Sequence, residues 1–230
     1  MKNSILLLLA FIVTASYAQT ECKPYVPYTK GSKWEITNYS PKGKETGKIA
    51  YELIDKVETE NGITFTIKTT TYDKKGKETY SGQYEAYCVD GKFDFNMAFK
   101  MDAAVMQANS GMDVDIDASE FEIPTMEAPA GSTLKDASMV MTVTSNGMGM
   151  FTMTILITER KVEAKEDITT PAGTFNCLTL YQKVSTKMFM NIVSYSKEWY
   201  AEGIGMVRSE TYDKNKKLTG YSELTKLETK

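Results

Sequence analysis

Asp113, Asp115 and Asp117 recur at every second position, so in an extended strand their carboxylates point to one side and their mutual repulsion invites a cation. A calcium loop of the EF-hand type would need Gly at its sixth position and Glu at its twelfth, where this chain has Ala118 and Pro124. What remains is calcium binding of another kind or a solvated acidic stretch. The fourteen methionines form the second cluster with chemical potential, concentrated between Met97 and Met153 and including Met139-x-Met141 and Met148-x-Met150-x-x-Met153. Thioethers are soft ligands able to hold Cu(I), but methionines two apart on a strand also share a face and suit either a core or an adaptable apolar pocket. The set expected to line such a pocket is Met97, Met101, Met139, Met141 and Met153, with Phe151 and Trp199.

Other groupings carry less. Ser132-Thr133-Leu134-Lys135 matches S-x-x-K without the companion motifs that give it meaning. Glu198 and Glu202 flank Trp199-Tyr200 and could act as an acid and a base, depending on a separation the sequence does not give. The chain has no histidine. That removes the usual general base near neutral pH, Ser-His and Cys-His pairs, and the common zinc sets. The reading is therefore of a protein that is not an enzyme and carries no cofactor.

Lys2, the apolar run Ile5–Val13 and the small residues at Ser16 and Ala18 have the layout of a secretory signal peptide over residues 1–18, cleaved after Ala18. The chain is expected to be exported, periplasmic or secreted, and no later run is long and apolar enough for a membrane-spanning helix. Cys22 raises the alternative of a lipoprotein, but Gln19-Thr20-Glu21 is too polar for the small-residue motif. With 27 basic and 30 acidic residues the net charge is −3, and the lysines gather at turn tips rather than along one face, which excludes a nucleic-acid footprint. The expected partners are an apolar small molecule or an envelope protein. Cys22, Cys88 and Cys177 leave at least one thiol unpaired, with the pairing open.

The elements that must position these residues are strands. Tyr39-Ser40-Pro41-Lys42-Gly43-Lys44, Tyr72-Asp73-Lys74-Lys75-Gly76-Lys77 and Tyr212-Asp213-Lys214-Asn215-Lys216-Lys217 are three similar lysine-rich tips, each between β-branched and aromatic runs. Ile49, Tyr51, Leu53 and Val57 alternate with polar residues, as do Ile63, Phe65 and Ile67 after the hairpin signal Asn61-Gly62. Met97–Ala108 has helical spacing and predicts one short helix. Residues 109–133 are expected to form a long irregular connection. The fold class is all-β with at most one short helix, a many-stranded antiparallel meander curling into a half-barrel, barrel or sandwich, in a single domain over residues 19–230.

At Gly31–Glu35 (GSKWE), Thr170–Cys177 (TPAGTFNC) and Glu198–Arg208 (EWYAEGIGMVR) the chain resembles the TapB-like exported proteins of Gram-negative bacteria, over most of its length beyond the signal peptide. It is similar, more weakly, to periplasmic proteins of unknown function that share the Pro-Ala-Gly-Thr-Phe turn and a following Trp-containing strand. The resemblance implies an exported β-rich protein with the open, curved sheet of periplasmic lipoprotein carriers. It implies no reaction, substrate or catalytic residue. The expected function is binding of a lipid-like or other apolar ligand, or a protein segment, in the concavity of the sheet. The alternatives are an envelope interaction protein with a filled core, or a Cu(I)- or calcium-binding protein.

Overall fold

The structure is a computed structural model that describes residues 23–60, 62–89, 91–97 and 112–230. The signal segment, Cys22, Met101 and the predicted helix beyond Met97 lie outside the described residues. One antiparallel sheet of thirteen strands accounts for nearly all of the rest: β1 (Lys33–Tyr39), β2 (Glu45–Thr59), β3 (Gly62–Asp73), β4 (Glu78–Val89), β5 (Lys92–Asn96), β6 (Asp113–Ala118), β7 (Glu120–Ile123), β8 (Ala137–Ser145), β9 (Met148–Thr170), β10 (Gly173–Lys187), β11 (Asn191–Ala201), β12 (Gly205–Asp213) and β13 (Leu218–Glu228). Their spatial order is β6-β8-β9-β10-β11-β12-β13-β1-β2-β3-β4-β5-β7.

The three lysine-rich tips are built alike. Gly43, Gly76 and Lys216 donate their N–H to the carbonyls of Ser40, Asp73 and Asp213, whose own N–H groups donate to Lys44, Lys77 and Lys217. The side chains of Asp73 and Asp213 accept further backbone N–H bonds within their turns. Because neighbours run antiparallel, these tips share one end of the sheet with the β8–β9 and β10–β11 turns.

A sheet of this length must close or leave two edges that invite further pairing. The two edge strands are consecutive in sequence, separated only by Ser119. Ser119 donates its N–H to Ser138 on the β8 side at 2.9 Å, and its carbonyl accepts from Met97, beyond β5, at 3.0 Å. One extended segment thus crosses from one edge to the other and brings the sheet into a nearly closed barrel. The alternation at Asp113–Asp117 is that of β6, so residues 113–118 and 120–123 of the expected irregular connection are strand.

Arg160 reinforces the seam. Glu159 has φ 53°, and the β9–β10 register slips beside it, a bulge that turns Arg160 inward beside the parity of Ile157 and Val162. Its guanidinium donates to the carbonyls of Lys135 at 2.6 Å and Glu122 at 2.7 Å and lies 3.8 Å from the Phe121 ring centroid. A second bulge, between Leu53 and Asp55, has the opposite effect: Val57, expected on the core face with Ile49, Tyr51 and Leu53, is half exposed because the extra residue moves it off that face. Cys88 faces inward with Tyr84 and Ala86 and is disulfide-bonded, while Cys177 is a free, buried thiol.

Arg160→Met keeps much of the apolar stem but leaves two carbonyls at the seam without their donor, and it should lower stability by about 3 kcal/mol. A urea-unfolding midpoint shift at constant slope reads this out. A loss below about 1 kcal/mol would show that the seam is held by Ser119 alone.

Candidate functional site

The barrel interior has two unlike halves. Between β5, β8, β9 and β10 it is filled: Met97, Met139, Met141 and Met153 are buried together with Val143, Ile157 and Leu180, and Phe151 packs against them half-buried. Trp199 is on the opposite face of β11 from Tyr200, in a small separate cluster with Cys177, Ala201 and Val207, and its Nε1 donates to Glu166 at 2.8 Å. Of the residues expected to line a pocket, the structure therefore brings Met97, Met139, Met141, Met153 and Phe151 into one packed cluster and sets Trp199 apart. Asp113, Asp115 and Asp117 share the exposed face of β6, and among the described residues no three acidic, cysteine or histidine side chains converge as a metal site.

The other half is hollow. Strands β1–β5, β7 and β11–β13 enclose a cavity of about 500 Å³, within the range of small-ligand pockets. Its floor is apolar. Tyr25 and Val26, from the segment preceding β1, plug the far end beside Phe93, Phe95 and Ile123, and Tyr25 meets Phe93 and Tyr200 edge-on at 5.9 Å. The Tyr25 hydroxyl donates to the Pro124 carbonyl at 2.7 Å. Gly205, at φ +111°, lets β12 start against this plug, since a Cβ there would lie 2.9 Å from the Tyr25 carbonyl oxygen. Midway, Trp34 stacks on Tyr51 at 5.2 Å, as their cross-strand register dictates.

Toward the end that carries the lysine tips, the same inward parity passes from apolar to hydroxyl and amide side chains. On β3 the run is Phe65, Ile67, Thr69, Thr71; on β1 it is Trp34, Ile36, Asn38; on β13, Leu224 gives way to Ser222. Ser209 and Thr211 of β12 complete this rim, and the Ser222 hydroxyl donates to Asn38 Oδ1 at 2.7 Å. These mouth residues are partly or fully exposed, whereas the floor is buried. Tyr80 lies along the wall over Gly82, where a Cβ would come within 2.4 Å of its hydroxyl.

Glu198 is the carboxylate in the lining. It is buried, accepting from Gln182 Nε2 at 3.0 Å and from the Tyr200 hydroxyl at 2.7 Å. Glu202, its imagined catalytic partner, belongs to the β11–β12 turn and is not among the lining residues. The chemistry on offer is accordingly a graded surface, aromatic at depth and hydroxyl-rich at the mouth, with one hydrogen-bonded carboxylate between. The sequence reading missed the rim because Thr, Ser and Asn at inward positions look like the wet face of a strand. Their signal is that they continue the parity of Phe65–Ile67 and Trp34–Ile36.

The DUF3108-like family model matches residues 29–224 of the chain. Two solved structures are similar, each at a TM-score of 0.80 and each covering 90% of this chain and 100% of the other: a candidate exported protein with a YmcC-like fold from Bacteroides fragilis, 26% identical, and a candidate lipoprotein from Parabacteroides distasonis, 25% identical. No curated protein matches. The family match supports the resemblance to exported β-proteins of unknown function; the TapB-like likeness has no counterpart in it. Among the described residues no helix is long and apolar enough to cross a membrane.

Burial raises the phenol pKa of Tyr25, Tyr51, Tyr84 and Tyr200 above the ordinary 10.0. These groups stay protonated in the folded state while the unfolded chain ionises them, so the unfolded state binds fewer protons and stability falls as pH rises above about 10. Each such tyrosine should remove about 1.4 kcal/mol per pH unit in that window. Denaturation midpoints that hold level between pH 9 and 11, roughly the span bracketing an ordinary phenol, would mean that water reaches these hydroxyls.

Proposed function

The chain belongs to the DUF3108-like family, and we propose that it is a non-enzymatic exported carrier that holds one amphiphilic, lipid-like molecule in the hollow half of its barrel. The observation that carries this reading is the gradient within one cavity: Tyr25, Val26, Phe93 and Ile123 at depth, Thr69, Thr71, Thr211 and Ser222 at the mouth. Apolar matter gains most from the deep end, where burial contributes about 25 cal/mol for each Å² removed from water. A polar head stays among side chains that can both donate and accept. A ligand without a head would forfeit the rim, and one polar throughout would desolvate its groups against aromatic walls.

The family match and the export-related descriptions of the two similar structures support the envelope as the place of action. The absence of histidine, and one carboxylate in the lining among the described residues, favour binding over chemistry. A paired-carboxylate hydrolase would need a second acid converging on Glu198.

Native mass spectrometry of the protein purified from its own host should show a stoichiometric lipid-sized adduct, identified after solvent extraction. A bare mass that persists when fatty acids and phospholipids are offered would sink the carrier reading. Thr71→Trp and Thr211→Trp place an indole across the mouth without disturbing the floor. Each should weaken parinaric acid binding roughly tenfold or more, by displacing apolar contact area, while far-UV circular dichroism stays that of the parent.

A further inference from the structure

Among the described residues, strand polarity puts five turns at the mouth end of the barrel, and they fall into two groups around the rim. The turns Ser40–Lys44, Asp73–Lys77 and Asp213–Lys217 carry two, three and three lysines, all exposed. The acidic residues among them are few: Asp73 and Asp213 are engaged with their own turn backbones, leaving Glu45 and Glu78 on the flanks. The β10–β11 turn is apolar at its tip, and β9 opens after the Asn146-Gly147 turn with exposed methionines. Phe189 is 84% exposed, Met190 71% and Met148 69%, with Met150, Met188 and Ile192 also exposed.

The two groups are contiguous. β9 pairs with β10 up to Thr154↔Lys187, so the β10–β11 turn at Met188–Met190 lies against the flank of the β8–β9 hairpin, which runs on past it to Met148, and β11 pairs with β12 up to Ser194↔Asp213, which sets the β10–β11 turn beside the Asp213–Lys217 lysine turn. Isolated exposed methionines need no explanation, but a turn and a neighbouring hairpin that present several at once have no packing role in the barrel. They stand at the same end of the barrel as the cavity mouth, beside the filled half, while the mouth itself opens between the lysine-turn strands.

The geometry points to this end of the barrel as a docking face for a bilayer containing anionic phospholipid, with Phe189 and the neighbouring methionines entering the interface while the lysine turns contact headgroup phosphates. Charge complementarity selects this occupant. Apolar tips alone would fit many partners, but apolar tips bordered by three solvated lysine turns match an apolar layer under a negative surface. Docked so, the cavity faces the membrane and an amphiphile can pass from leaflet to floor without crossing water. That consequence rests on the carrier reading; the docking itself does not.

The test is co-sedimentation of the purified protein with vesicles of phosphatidylethanolamine and phosphatidylglycerol, against vesicles of phosphatidylcholine alone. Binding is expected to the anionic vesicles only and to weaken in high salt. Phe189→Asp and the double variant Lys214→Glu/Lys217→Glu, all at exposed positions, should each reduce it about tenfold or more. Failure of the parent to bind either vesicle overturns the proposal and makes the patch a protein contact, as does unaltered binding by both variants or equal binding to phosphatidylcholine. Native mass spectrometry of the same samples separates the two readings: an empty cavity in protein that still binds anionic vesicles would sink the carrier and leave the docking face.

Discussion

Ser119 donates to one edge of the sheet and accepts from the other, and most of the molecule depends on that hand-over. Nine of the twelve strand pairings in the sheet are ordinary hairpins between consecutive strands, each satisfied locally, but the first and last strands of such a series have no partner unless the sheet returns to itself. A separate closing strand would need full pairing on both sides. Here a short segment is divided, β6 serving β8 and β7 serving β5, and the exposed side of β7 is met by the Arg160 guanidinium at the Glu122 carbonyl. An arginine reaches that position only because the bulge at Glu159 reverses the parity of β9. Closure thus rests on one residue with two backbone partners and one irregularity that turns a charge inward.

Bringing Arg160 inside has a consequence across the barrel. A buried guanidinium is costly unless opposed by charge, and the carboxylate that acts most strongly on it is Glu198. Glu198 belongs to the cavity wall, where Gln182 and Tyr200 hold its oxygens. The filled half and the hollow half are therefore linked electrostatically through the interior. Their difference in packing follows from side-chain type: methionines on β8 and β9 are unbranched and settle into whatever space a curved sheet leaves, whereas the rigid rings of Trp34, Tyr51, Tyr84 and Tyr200 stack against the walls and leave the middle unfilled.

Alternation and turn chemistry made the architecture legible in the sequence. Phe65-x-Ile67, Ile49-x-Tyr51-x-Leu53 and the three lysine tips each specify strands and reversals from local residues alone, and the inward placement of Met139 and Met141 follows from the same rule. What local pattern does not carry is the bulge. Val57 was expected inside and is exposed, while Arg160 sits in a charged run that reads as solvated and is 2% exposed. Both departures are a single residue of register inside a hairpin, β2–β3 and β9–β10, and alternation alone does not show which position carries the extra residue. The cavity was obscured for a related reason: whether Thr69, Thr71, Ser209 and Thr211 face water outside or line a hollow inside depends on the curvature of the whole sheet.

On the proposed carrier reading, an alkyl chain entering the cavity has to pass the buried carboxylate of its wall. Both Glu198 oxygens, however, already accept hydrogen bonds, one from an amide and one from a phenol, and its charge is opposed by Arg160. Such a ligand would meet the ring of Tyr200 rather than an unsatisfied anion, and desolvating Glu198 further would cost little because both its oxygens already accept hydrogen bonds. The rim differs: its hydroxyls are partly exposed and exchange partners with water, so a polar head can replace that water bond for bond. On the proposed carrier reading, a cavity whose deep carboxylate is hydrogen-bonded and whose mouth hydroxyls are exchangeable would discriminate by where a ligand's polarity lies along its length.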